Sequence, residues 1–71
     1  MDHTIGRHRG EGHWEELAAV TAKDPAAALS QWVDAQGGTE AGQYGVRASD
    51  GGAWEWLFRA DSEGLHRVDA F

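Results

Sequence analysis

Apolar and polar positions change period along this chain, and the change marks the elements. Leu29, Trp32 and Val33 recur at i, i+3 and i+4, the stripe of an amphipathic helix. Asp24 ahead of Pro25 supplies the start, because an Asp carboxylate can accept an orphan backbone N–H and Pro is well placed at the first helical position. Ala26, Ala27 and Ala28 have the best helix propensity. Gly37 stands where a C-terminal glycine belongs. The pattern predicts a helix over 25–36.

Beyond the loop-like Gly37–Gly42 stretch the period drops to two. Tyr44–Ser49 reads as a strand, Asp50-Gly51-Gly52 as a hairpin turn, and Ala53–Ala60 as the return strand. Strict alternation puts Trp54, Trp56 and Phe58 on one face of that strand and Glu55, Leu57 and Arg59 on the other. Asp61–Gly64 is a second turn, and Leu65–Phe71 a last strand. The C-terminal half is thus a three-stranded antiparallel meander.

Residues 14–22 support two readings. Glu15-Glu16-Leu17-Ala18-Ala19 is a helix-forming run. Yet no N-cap residue precedes it, and it runs directly into the helix start at Asp24, which favours a strand. As a strand it would set Trp14, Glu16, Ala18, Val20 and Ala22 on one face. The run from Leu17 through Asp24-Pro25 to Leu29 is similar to the strand-into-helix junction of the small phenylacetate-pathway oxygenase subunits and of an archaeal ribosomal protein. The likeness is confined to this junction and names no family. With the strand reading, Thr4–Arg9 can pair with it through Gly10-Glu11-Gly12, so residues 1–12 are either a flexible lead or the first edge strand. The expected fold is α+β: a small antiparallel sheet, β-β-α-β-β-β or α-α-β-β-β, with one main helix packed on one face.

Size limits what such a sheet can cover. A chain of 71 residues is one domain over 1–71 and buries only about 60% of its unfolded surface. Leu, Ile, Val and Phe number 11 of those residues, so the four Trp and one Tyr must carry much of the core. The expected core is Val20, Leu29, Trp32, Val33, Tyr44, Val46, Trp54, Trp56, Phe58 and Val68. Leu29, Trp32 and Val33 would meet the row Trp54, Trp56 and Phe58, or part of it, leaving the other sheet face, with Leu57, Arg59 and Arg47, largely polar or lightly apolar. An antiparallel sheet tolerates one wet face.

Charge and composition remove several functions. The net charge of −6 argues against direct nucleic-acid or anionic-membrane binding. No apolar run approaches the ~18 residues of a membrane span and no leader pattern opens the chain, so the expectation is a cytoplasmic protein. The absence of Cys removes disulfides, thiolate metal sites and a Cys nucleophile.

Catalytic chemistry finds little footing. His3, His8 and His13 repeat every five residues, which converges on one face of neither a helix nor a strand, so they and His66 read as surface histidines. Glu15-Glu16 and Asp61 with Glu63 are the close acid pairs, but a small core leaves little room for a pocket of ~300 Å³ that would raise a carboxyl pKa. No hydroxyl lies in a Gly-x-Ser-x-Gly setting, and the Gly6–Gly12 stretch lacks the Gly-Lys-Ser/Thr end of a phosphate loop. No catalytic residue, metal ligand or cofactor is therefore expected.

What is left is binding. Scattered acids on a small domain suit a module that occupies a basic groove on another protein and associates quickly. The expected role is a non-enzymatic inhibitor-type protein of the antitoxin, immunity or phage anti-defence class, with an accessory or assembly subunit of a larger enzyme as the alternative. Candidate partner-binding residues are Trp14, Glu15, Glu16, Asp50, Glu55, Asp61 and Glu63. An uncovered sheet edge would also serve a homodimer.

Overall fold

The structure, a computed structural model, describes residues 1–69. Chain order is β1 (Asp2–Gly10), β2 (His13–Thr21), α1 (Pro25–Gln36), β3 (Gly42–Ala48), β4 (Trp56–Asp61) and β5 (Gly64–Val68). The strands form one antiparallel sheet in the order β2-β1-β3-β4-β5, and α1 packs on one face across β1, β2 and β3. This is the α+β fold in its β-β-α-β-β-β form; residues 13–21 are strand, not helix. Tertiary pairing overrides the helix propensity of Glu15–Ala19, because β2 hydrogen-bonds along the whole length of β1. Ala70 and Phe71 of the expected last strand lie outside the described residues.

Helix α1 is bounded as its sequence dictates. The Asp24 side chain accepts the Ala27 N–H at 2.8 Å, and Pro25 follows in the first turn. At the far end Gly37 adopts φ 72°, the left-handed conformation that a Cβ disfavours. The Gly37 N–H then reaches the Asp34 carbonyl and the Gly38 N–H the Val33 carbonyl, each at 3.2 Å, the paired bonds of a Schellman motif. Ala28, Leu29 and Trp32 form its buried stripe, with Val33 half-buried beside them.

The core lies between α1 and the sheet. Ile5, Val46 and Phe58 are its most completely buried side chains; Tyr44, Leu29, Trp32, Ala22, Ala28 and Ala60 complete it, and Val20 and Trp56 pack partly buried against it. Tyr44 stacks on Phe58 with ring centroids 5.3 Å apart and meets Trp32 at 5.8 Å.

Four sequence expectations are corrected here. First, β1 is neither flexible nor an edge: it is paired on both sides, with β2 and β3, and β2 is the edge. Second, β2 does not keep one alternation. Ile5 faces Ala18 but the next residue, Gly6, faces Glu16, so Leu17 is an extra residue. Such a bulge turns the strand over: Ala18 and Val20 pack toward α1, whereas Trp14 and Glu16 lie on the open face, turned away from α1. Third, Trp54 is not in a row with Trp56 and Phe58. Strand β4 begins at Trp56, whose partner is Val46, and the Val46 carbonyl accepts the Glu55 N–H at 3.1 Å. This two-against-one arrangement breaks the alternation, and Trp54 crosses to the open face. Val68 is also outside the α1 core, since it sits opposite Leu57 on that open face. Fourth, His3 is a buried residue, only 3% exposed, not a surface histidine.

Candidate functional site

The open face was expected to be largely polar or lightly apolar, and two indoles cover its middle. Gly6 of β1 and Gly45 of β3 are cross-strand partners. Their missing side chains leave a flat floor. A Cβ on Gly6 would stand 2.4 Å from the Trp54 ring, and one on Gly45 2.8 Å from the Trp14 ring. On this floor Trp14 and Trp54 stack, with centroids 4.4 Å apart and planes 15° from parallel. His8 meets the Trp14 ring edge-on at 4.9 Å.

A charged rim holds the pair. The Arg47 guanidinium lies 4.8 Å from the Trp54 ring centre, a cation–π distance. Its Nη2 donates to the Glu16 carboxylate at 2.7 Å, while its Nε is buried with no partner. Leu57 borders the floor beside Gly45. Trp14 and Trp54 are each half-buried.

A surface cleft of about 760 Å³ lies at the C-terminal end of α1. It is larger than the sequence suggested because it is not carved from the core; α1 overhangs β1 and β3 there. Leu17, Trp32 and Tyr44 supply its apolar lining and Arg7 its cation. Arg7 is already engaged: its guanidinium lies 5.6 Å from the Tyr44 ring, donates to the Ala41 carbonyl at 3.1 Å and approaches the Glu40 carboxylate at 3.5 Å. The Tyr44 hydroxyl donates to the Glu40 carbonyl at 2.8 Å. Among the described residues that line the cleft, both charged groups, Arg7 and Glu40, are engaged with one another.

The seven candidate binding residues do not come together. Trp14 and Glu16 lie on the open face. Glu15, on the α1 side, is held by Arg9 at 2.6 Å. Asp50 is exposed in the β3–β4 connection and Glu55 just before β4. Asp61 and Glu63 are exposed in the β4–β5 turn, across the sheet from β2. Acids therefore ring the molecule, and Glu15, Glu16 and Glu40 are each paired with one of the chain's own arginines.

One grouping escaped sequence reading. Asp61, Glu63 and His66 bring their ligand-type atoms within 4.8 Å of one another. The Asp61–Gly64 pairing folds position 66 back onto position 61, which spacing alone did not suggest. The Asp61 carboxylate accepts the Glu63 N–H at 2.8 Å and a His66 Nε2 contact at 3.2 Å. The backbone bond from Glu63 is the main reason that its pKa lies below the ordinary 3.8; desolvation opposes it, and His66 and Arg59 add to the lowering. These bonds tie down the turn itself.

Trp54, Arg47, Gly6 and Gly45 were missing from the candidate set. The only signal for them in the chain was two glycines inside strand-like runs, a mark of close approach by another group. Among the described residues no helix is long and apolar enough to cross a membrane. No family model, curated protein or solved structure matches this chain.

Proposed function

We propose that this chain is a non-enzymatic protein-binding module of the inhibitor type, of the antitoxin, immunity or phage anti-defence class, and that it grips its target with the open face of the sheet. The Trp14–Trp54 pair carries this reading. A folded monomer gains little by leaving two stacked indoles half-exposed, whereas Trp and Arg dominate the energetics of protein interfaces. The pair is rigid, seated on glycine and clamped by Arg47, so little side-chain entropy is lost when a partner covers it. The net charge of −6 adds long-range attraction to a basic target and speeds encounter.

The alternative, an accessory subunit of a larger enzyme, rests on the same face with apolar contact dominating. Salt distinguishes the two. The immobilised chain is presented with nuclease-treated lysate of its source, bound protein is eluted with a salt gradient, and Trp54→Ser is run beside it after its melting has been checked. A protein held by the wild type, lost from Trp54→Ser and released at moderate salt supports the inhibitor. Retention through high salt supports the accessory subunit. Equal retention by both chains removes the open face from the reading.

A further inference from the structure

The arginine–carboxylate pairs of this chain are not alike. Arg9 meets Glu15 at 2.6 Å and Arg47 meets Glu16 at 2.7 Å, both closed charge-assisted contacts. Arg7 meets Glu40 only at 3.5 Å, and the Glu40 side chain is 86% exposed. The loose pair is also the one that lies in the cleft at the end of α1.

The Arg7 guanidinium is seated before any ligand arrives. Its strand partner is Tyr44, and it lies 5.6 Å from the centre of that ring. Gly42, two residues earlier on the same face of β3, leaves it room: a Cβ there would stand 3.0 Å from Arg7 Nη2 and 3.1 Å from Nε. Nη2 donates to the Ala41 carbonyl at 3.1 Å. Ring, glycine and carbonyl thus hold a long side chain in one place, and little rotamer freedom is left to lose on binding. Nη1 is directed to Glu40, across the long contact.

The cleft around this cation is lined by apolar Leu17 and Trp32 and by polar Gln36 and Thr39. Its volume of about 760 Å³ lies within the range of small-molecule sites, about 300–1,000 Å³, and exceeds what one amino-acid side chain would fill.

We propose that the cleft binds a small organic carboxylate with an apolar body. The carboxylate takes Nη1 of Arg7 in place of Glu40, and the body lies against Leu17 and Trp32. Glu40 is a displaceable placeholder, carried on the Gly37–Gly42 connection. The negative end of the α1 dipole opposes an anion here. Gly37 and Gly38 already cap two of its carbonyls, however, and a hydrogen bond from a half-buried guanidinium outweighs the remainder. The site lies on the α1 side of the sheet, so it is independent of the protein-binding role given to the open face.

Titration followed by amide chemical shifts tests this, with 3-phenylpropanoate as the carboxylate and 3-phenylpropanamide as its neutral counterpart. Wild type should bind the acid with shifts centred on Arg7, Leu17, Trp32 and the Gly37–Gly42 connection. It should bind the amide about tenfold more weakly, the contribution of one charge-assisted hydrogen bond. Glu40→Gln, at an exposed position, should bind the acid more tightly, by about threefold, and the amide unchanged. Arg7→Gln should bind the acid no better than the amide, with circular dichroism as the check on folding. The amide and Glu40→Gln comparisons decide the matter even where Arg7→Gln does not fold. Acetyl-Gly-Gly-Phe carries the same phenyl group and a carboxylate at a chain end, and should bind more weakly than the free acid. Equal binding of acid and amide by wild type overturns the proposal, as does a Glu40→Gln chain that gains no affinity or binds nothing at about 10 mM, beyond the weak end of specific association. Tighter binding of the peptide than of the free acid overturns it in favour of a protein terminus.

Discussion

His3 concentrates the tension between burial and polarity in a single side chain. It is 3% exposed, and neither Nδ1 nor Nε2 has a hydrogen-bond partner. A buried polar atom without a partner costs about 1–3 kcal/mol, whereas an apolar group of similar shape avoids the cost. His3→Leu should therefore raise the stability of the free chain by about 1–2 kcal/mol, read from the midpoint of urea unfolding at unchanged slope. A lower midpoint would show that the imidazole is satisfied in solution. His3 was illegible in the sequence for a physical reason. Only Ile5 in β1 is a large apolar residue, so the inward row His3, Ile5, Arg7 shows no hydrophobic alternation. The row is inward because β1 is central, which is a property of the whole sheet.

At the scale of elements, the tryptophan platform depends on two bulges and two glycines. Gly6→Ala would place a methyl 2.4 Å from the Trp54 ring, and the ring, not the backbone, must give way. Overpacking of this kind costs about 1–3 kcal/mol. The variant should stay folded but lose the exciton coupling of stacked indoles in its circular dichroism spectrum, and the proposed partner should bind less tightly. Coupling retained at wild-type strength would mean that Trp54 does not rest on Gly6. Helix α1 was legible to the residue, since Asp24, Pro25, the Leu29–Trp32 stripe and Gly37 all state its limits locally. The hairpins were legible from their glycine turns. The bulges at Leu17 and Glu55 were not, because one inserted residue leaves no compositional mark. Those two bulges decide that Trp14 and Trp54 share a face, so the candidate site stayed hidden while the fold did not.

For the molecule as a whole, the decisive fact is that β1 sits inside the sheet. It joins β2 to the β3-β4-β5 meander and carries Ile5, which is fully buried. Its removal would strip backbone partners from two strands at once and open the floor of the core beneath α1. A small domain has about 0.05–0.15 kcal/mol of stability per residue, so losses on that scale cannot be absorbed. A chain starting at Glu11 should show no cooperative thermal transition and should give the collapsed amide spectrum of an unfolded protein. A terminal strand at an edge would behave differently: trimming β5 back to Asp61 leaves β1, β2, β3 and α1 in contact, and a weakened but still cooperative transition should survive. The contrast between the two truncations reads the strand order directly. Equal tolerance of both would mean that β1 is not central. In that case the glycine floor and the tryptophan pair above it would lose their support, since each is positioned by β1.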